Sequence, residues 1–92
     1  MIASFHDKET EHLYQVGTSK RLAAIAKVAL RKLDMLDAAM ELHDLRSPPG
    51  NRLEALERDR SGQHSIRIND QWRLCFIWRD GAAHRVEITD YH

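Results

Sequence analysis

Between residues 63 and 89 apolar side chains fall at alternate positions in three short runs, and that alternation leaves few ways for the chain to pair with itself. Ile66 and Ile68 share a side, as do Trp72, Leu74, Phe76 and Trp78, and likewise Val86 and Ile88. If the three sets are to make one core, facing residues across each hairpin must have numbers of equal parity. A one-residue slip would turn a whole set to solvent. A loop of Asn69 and Asp70 alone breaks that rule. A loop over 69–71 obeys it and pairs Ile68 with Trp72, Ile66 with Leu74, and Arg67 with Arg73. By the same logic a loop over 80–82 sets Thr89 beside Arg73 and Glu87 beside Cys75.

Before Ser47-Pro48-Pro49-Gly50 the period is different. Neither proline continues a helix and the glycine frees the backbone to turn, so the helical part of the chain ends there. Asp7 is placed to cap a helix over 8–16, with Glu9 and Glu11 near its positive end and Gly17 as its stop. Thr18 or Ser19 then caps a second helix over 20–43. Its apolar positions Leu22, Ile25, Ala26, Ala29, Leu33, Leu36 and Met40 recur at helical spacing, with Lys27, Arg31, Asp34, Ala38 and Glu41 on the solvated side. Residues 2–5 read as a short strand. Four more strands are expected over 52–56, 63–68, 72–78 and 84–89, separated by turn-forming stretches. The order gives an α+β fold in a single domain spanning 1–92, with the N-terminal strand and two helices packed on one face of a twisted, mainly antiparallel sheet.

Composition narrows the function. A 42% apolar and 30% charged chain of 92 residues suits one soluble domain with a single modest core. Cys75 is the only cysteine, so no internal disulfide forms, and the six histidines lack metal-ligand spacing. No apolar run reaches transmembrane length and the start carries no cleavage signature, which makes the cytoplasm the expected compartment. Net charge is zero, with seven basic and seven acidic residues on each side of the Arg46–Ser47 bond. A free-standing nucleic-acid binder is usually basic, because neutralising phosphates supplies most of its affinity. Either the cations are segregated onto one face, or another macromolecule presents the nucleic acid.

From Arg46 onward the basic residues are eight arginines and no lysine. Arginine offers a planar fork suited to phosphate oxygens and to stacking, where lysine offers a mobile point charge. The parity argument places Arg67 directly opposite Arg73 on the helix-free face, an arrangement that costs a few tenths to about 1 kcal/mol. Glu54, Glu57 or Glu87 is available to neutralise the pair within the fold. A phosphate held between the two arginines explains better why both point the same way. Arg52, Arg58 and Arg60 extend the same basic stretch as further RNA contacts.

Cleaving RNA without a metal requires a base for the 2′-OH, a cation for the charged phosphorane and an acid for the leaving oxygen. Arg73 fits the cation. The sequence closes on Asp90-Tyr91-His92, with Asp90 and His92 as a proton-transfer pair and Tyr91 suited to stack on a base or donate to a phosphate. Parity turns Tyr91 to the Arg73 face and Asp90 and His92 nominally to the core side, from which they would have to curl around the sheet edge.

The stretches 1–5, 62–76 and 86–92, above all Asp70-Gln71-Trp72-Arg73 and the closing Asp-Tyr-His, resemble the HigB branch of the RelE/ParE toxin superfamily, the toxic half of type II toxin–antitoxin pairs. The resemblance spans essentially the whole chain. It implies a RelE-like fold, cleavage of mRNA in the ribosomal A site without a cofactor, and a co-encoded HigA-type helix-turn-helix antitoxin through which alone operator DNA is reached. Dependence on the ribosome would account for the zero net charge. Arg73, Asp90, Tyr91 and His92 carry over by position. Active members of the branch have His where this chain has Glu54 and Lys where it has Glu57. Glu54 is therefore a candidate base in a nuclease of reduced potency, since both carboxylates oppose an approaching phosphate. Two other readings share the fold: a ParE-like toxin that binds gyrase and cuts nothing, and a degenerate toxin that acts only in its antitoxin complex.

Overall fold

A computed structural model describes residues 1–90 of the chain. Helix α1 (Lys8–Val16) starts where Asp7 accepts the Thr10 amide at 3.0 Å and ends at Gly17, whose φ of 91° and N–H bond to the Leu13 carbonyl close the last turn. The left-handed backbone there is one that glycine adopts without penalty. Thr10 is buried and has a second role. Its hydroxyl donates to Asp7 Oδ1 at 2.8 Å and accepts the Ile88 amide at 3.2 Å, which ties the start of α1 to the sheet.

The second helix is shorter than its periodicity implies. Ser19 Oγ accepts the Leu22 amide, a 3-10 turn follows at Ala23–Ile25, and α2 runs only from Ala26 to Ala38. The Asp44 carboxylate takes the amides of Met40 and Glu41, at 3.0 Å each, and so caps a separate 3-10 turn over Leu42–Arg46. Those two backbone hydrogen bonds are also what holds the Asp44 carboxyl below its usual range. A short side chain competing for backbone donors is a common way to end a helix. Met40, expected on the buried stripe, is 80% exposed, while Leu22, Ile25, Ala29, Leu33 and Leu36 are buried as expected.

The sheet runs in the order β1 (Glu54–Ala55), β2 (His64–Arg67), β3 (Arg73–Arg79), β4 (Ala82–Thr89), all antiparallel. Only two residues of the strand expected over 52–56 pair. Residues 2–5 run parallel to β4 but make isolated bridges, Ile2 to Ala83 and Phe5 to Val86, in place of a full strand. The β2–β3 register is the expected one, with Ile66 opposite Leu74, Arg67 opposite Arg73, and the Ile68 amide bonded to the Trp72 carbonyl. Asn69 Oδ1 accepts the amides of Gln71 and Trp72 at 2.8 Å each and sets this three-residue loop.

The β3–β4 hairpin reaches its expected register by a different route. Thr89 does lie beside Arg73 and Glu87 beside Cys75. The turn, however, is Asp80-Gly81 alone, both residues with positive φ (54° and 75°), and Arg79 pairs with Ala82. Asp-Gly favours such a turn because its twist matches that of the strands. Parity is restored by a bulge in β4 at Arg85, φ 52°, facing the break between Cys75 and Ile77. The helices cover the face built from Ile66, Ile68, Leu74, Phe76, Val86 and Ile88, which joins Leu13, Leu22, Leu33, Leu36 and Leu45 in one core.

Candidate active site

The helix-free face places Glu54, Ser65, Cys75 and Glu87 side by side across the four strands, with Arg67, Arg73 and Thr89 in the neighbouring row. Ser65 and Cys75 are fully buried. Burial pushes the Cys75 thiol up to about 11, reinforced by the Glu87 and Glu54 carboxylates against the pull of Arg60 and Arg73. A thiol held neutral in this way is not a nucleophile at ordinary pH.

Arg73 lies over this pair with 16% of its side chain exposed. Its Nη2 is 2.8 Å from Glu54 Oε1, 2.9 Å from Ser65 Oγ and 3.1 Å from the Arg52 carbonyl, so three acceptors share two hydrogens. Its Nε is buried with no hydrogen-bond partner among the described residues. Arg67, although in register with Arg73, takes a different carboxylate, Asp70, in an ion pair across its own loop. Of the neutralising carboxylates foreseen for the pair, Glu54 acts on Arg73. Glu87 instead bonds Arg60 at 3.1 Å and faces His6 Nε2 at 3.7 Å, and Glu57 forms no ion pair among the described residues.

The remaining candidates fall at the margins of the face. Asp90 is exposed and accepts from Gln71 Nε2 at 2.9 Å, so the chain leaves β4 toward the β2–β3 loop and the Asp90 side chain does not enter the core. Tyr91 and His92 lie outside the described residues. Arg52 and Arg58 sit in short turns with φ of 47° and 56°, both exposed. Arg60 is drawn into the fold by Gln63 and Glu87. Thus Arg73, Glu54 and the Arg52 backbone come together, while Arg58, Arg60 and Arg67 are spread around the rim.

Sequence reasoning missed three contributors. Ser65 is the hydroxyl under Arg73, and register alone would have found it, because it sits between Glu54 and Cys75. His6 and Arg85 meet beside Glu87, with Arg85 Nη2 3.1 Å from His6 Nδ1, around a cleft of about 350 Å3. That meeting depends on the parallel N-terminal segment and the bulge, and no local pattern announces it.

With this geometry in view, comparison with known proteins identifies the lineage. The model of the RelE-like toxin of the type II toxin–antitoxin system HigB matches residues 3–92. The chain belongs to the HigB-like toxin family. It is 47% identical over 85 residues to Toxin HigB-1 of Vibrio cholerae, covering 90% of each chain. It is 30% identical over 93 residues to Endoribonuclease HigB of Proteus vulgaris, covering the full length of both. Among solved structures, the fold is similar to a point mutant of YafQ from E. coli (TM-score 0.63, 11% identity, 98% of this chain and 93% of that one). It is also similar to the YoeB–YefM complex of Staphylococcus aureus (TM-score 0.61, 17% identity, 100% and 98%). At those identities the two structures speak for the shared fold alone.

Proposed function

We propose that this chain is an endoribonuclease that cuts mRNA in the ribosomal A site, using its own side chains as acid, base and cation. The observation that carries the reading is Arg73, set into the helix-free face with a buried Nε–H that has no partner among the described residues and a carboxylate 2.8 Å from its Nη2. A buried N–H without an acceptor is uncommon and costly, and a phosphorane oxygen is a fitting one. The naming of a full-length relative as Endoribonuclease HigB supports the same reaction.

In this mechanism Arg73 stabilises the charge that develops on phosphorus, and Glu54 takes the 2′-OH proton. Asp90 and His92 deliver a proton to the leaving 5′ oxygen, and Tyr91 stacks on a base. Arg52, Arg58, Arg60 and Arg67 contact the flanking backbone. The chain works in the cytoplasm and is silenced by a HigA-type antitoxin, whose helix-turn-helix alone engages operator DNA.

The test is a translation extract programmed with one mRNA, with cleavage mapped by primer extension. The wild-type protein should cut ribosome-bound mRNA and leave free mRNA intact. Arg73→Ala should lower the rate by about 10²–10³-fold, as removal of one oxyanion-type donor does. Full activity in Arg73→Ala would remove Arg73 from the mechanism, whereas ribosome-bound mRNA left intact by the wild-type protein would end the nuclease reading and favour a gyrase-binding toxin, which a supercoiling assay detects. The Glu54–Arg73 ion pair also favours a second reading, a toxin of reduced potency, because a phosphate must compete with Glu54 for the guanidinium. Glu54→Ala separates the two roles: activity falls if Glu54 is the base and rises if it only repels phosphate.

A further inference from the structure

At the corner where α2 meets the end of β2, a cavity of about 210 Å3 is walled by three cations: Arg31 and Lys32 from α2, and Arg67 from β2. The remaining lining is apolar (Val28, Met35, Ile68) apart from Gly50, and no carboxylate among the described residues contributes. Among the described residues the one acid bonded to this trio, Asp70, holds Arg67 and is itself fully exposed, outside the cavity lining. Arg31 has no ion-pair partner among the described residues.

Such a gathering opposes folding. Lys32 is held below the usual ammonium range by burial first, then by the charges of Arg31 and Arg67. Its head is nonetheless fixed, donating to Asn51 Oδ1 at 2.6 Å, while Asn51 is buried and donates through Nδ2 to the Leu45 carbonyl at 3.1 Å. One of three ammonium hydrogens is used in this way. Gly50, on the cavity wall, is not demanded by packing, since a Cβ there would meet nothing within 4 Å. Arg67 connects this corner to the candidate active site. The β1–β2 pairing stops at Ser65, so β2 is a sheet edge by Arg67, whose register partner is Arg73.

We infer that this corner is a second phosphate site, taking the backbone of the RNA strand one or more nucleotides away from the phosphate at Arg73. The inference rests on the ribonuclease reading for the identity of the ligand. Like charges on a small cavity are relieved by an anion, and a tetrahedral phosphate accepts from all three cations together. An RNA strand is the favoured source, because Arg67 lies next to Arg73 in the register and at this edge.

The experiment measures binding of the intact chain to a short 2′-O-methylated single-stranded RNA, which cannot be cleaved for want of a 2′-OH, as a function of salt. Each phosphate that the protein no longer neutralises should reduce the slope of log affinity against log salt by about 0.7. Arg31→Gln and an Arg31→Gln, Lys32→Gln double variant should lower the slope by about that amount and weaken binding several-fold at low salt. Arg79→Gln at the far hairpin should change neither. Unchanged slopes in all cavity variants, with binding still weakened by Arg73→Gln, would overturn the second site and leave the ribonuclease reading intact. Absence of RNA binding by the wild-type chain at low salt would overturn the second site, while the ribosome-dependent cleavage reading stands or falls on the translation-extract assay. Binding of a polyglutamate peptide that is abolished in the double variant, with the RNA slope unmoved, would assign the corner to an acidic protein segment and overturn it as well.

Discussion

The two faces of the sheet are built from the same strands and hold together in different ways. On the helix side, Ile66, Leu74, Phe76, Val86 and Ile88 merge with both helices into one apolar core, where any side chain of suitable size and position serves. On the helix-free side, a small buried pair, Ser65 and Cys75, is roofed by charged side chains that each select a partner: Arg73 takes Glu54, Arg60 takes Glu87, Arg67 takes Asp70. The first face is non-directional and tolerant. The second depends on which carboxylate each guanidinium reaches, and an exposed partner such as Glu54 or Asp70 contributes little stability while leaving its arginine available.

That contrast breaks if the two faces respond alike to substitution. Phe76→Ala on the helix side should cost about 3–5 kcal/mol in a denaturant titration, as large truncations of buried aromatics do, with little dependence on salt. A cost similar to that of an exposed substitution would mean the core is not where the packing puts it. Thr10→Val sharpens the comparison, because it removes the one hydroxyl that joins α1 to β4 and leaves the buried Ile88 amide without its acceptor. A destabilisation of about 1–3 kcal/mol is expected, with faster amide exchange at Ile88 as the local signature.

The smallest effect belongs to Cys75 and is read by pH. Since burial raises this thiol to about 11 from an ordinary 9.0, the unfolded chain ionises first as pH climbs. The thiol's contribution to stability should therefore be constant below about pH 9 and decline between 9 and 11. In the native protein, alkylation at pH 8 should be far slower than in denaturant. Rapid native labelling would show that the charged roof over Cys75 is open.

Much of this architecture is legible without coordinates. The cap and stop of α1 at Asp7 and Gly17 follow from local chemistry, and the three-residue loop over 69–71 follows from the equal-parity rule. The equal-parity rule correctly sets Arg67 against Arg73 and Thr89 beside Arg73. The same rule misplaces the β3–β4 turn, because it counts residues and knows nothing of twist. Asp80-Gly81 makes the tighter turn, and the bulge at Arg85 absorbs the difference. The periodicity of 20–43 runs on past the end of α2 because a hydrophobic stripe carries no information about Asp44 capturing two backbone amides. As to the site, the residue types that could serve were evident, including Arg73 and Glu54. The partner of each was not.

What the sequence by itself determined is therefore whatever depends on neighbours along the chain: helix caps, turn chemistry, and the face of the sheet on which each side chain falls. Those are set by bond geometry and by a period of two or 3.6 residues, and they hold wherever the segment lies. Only the tertiary structure decided that Arg73 packs, partly buried, against Ser65 and Glu54, that Arg67 turns instead to Asp70, and that Arg31, Lys32 and Arg67 converge on one cavity. Each of those outcomes is a competition among charges distant in sequence and close in space, won by reach, burial and the edge where β1 stops, and none of these is a local property of the chain.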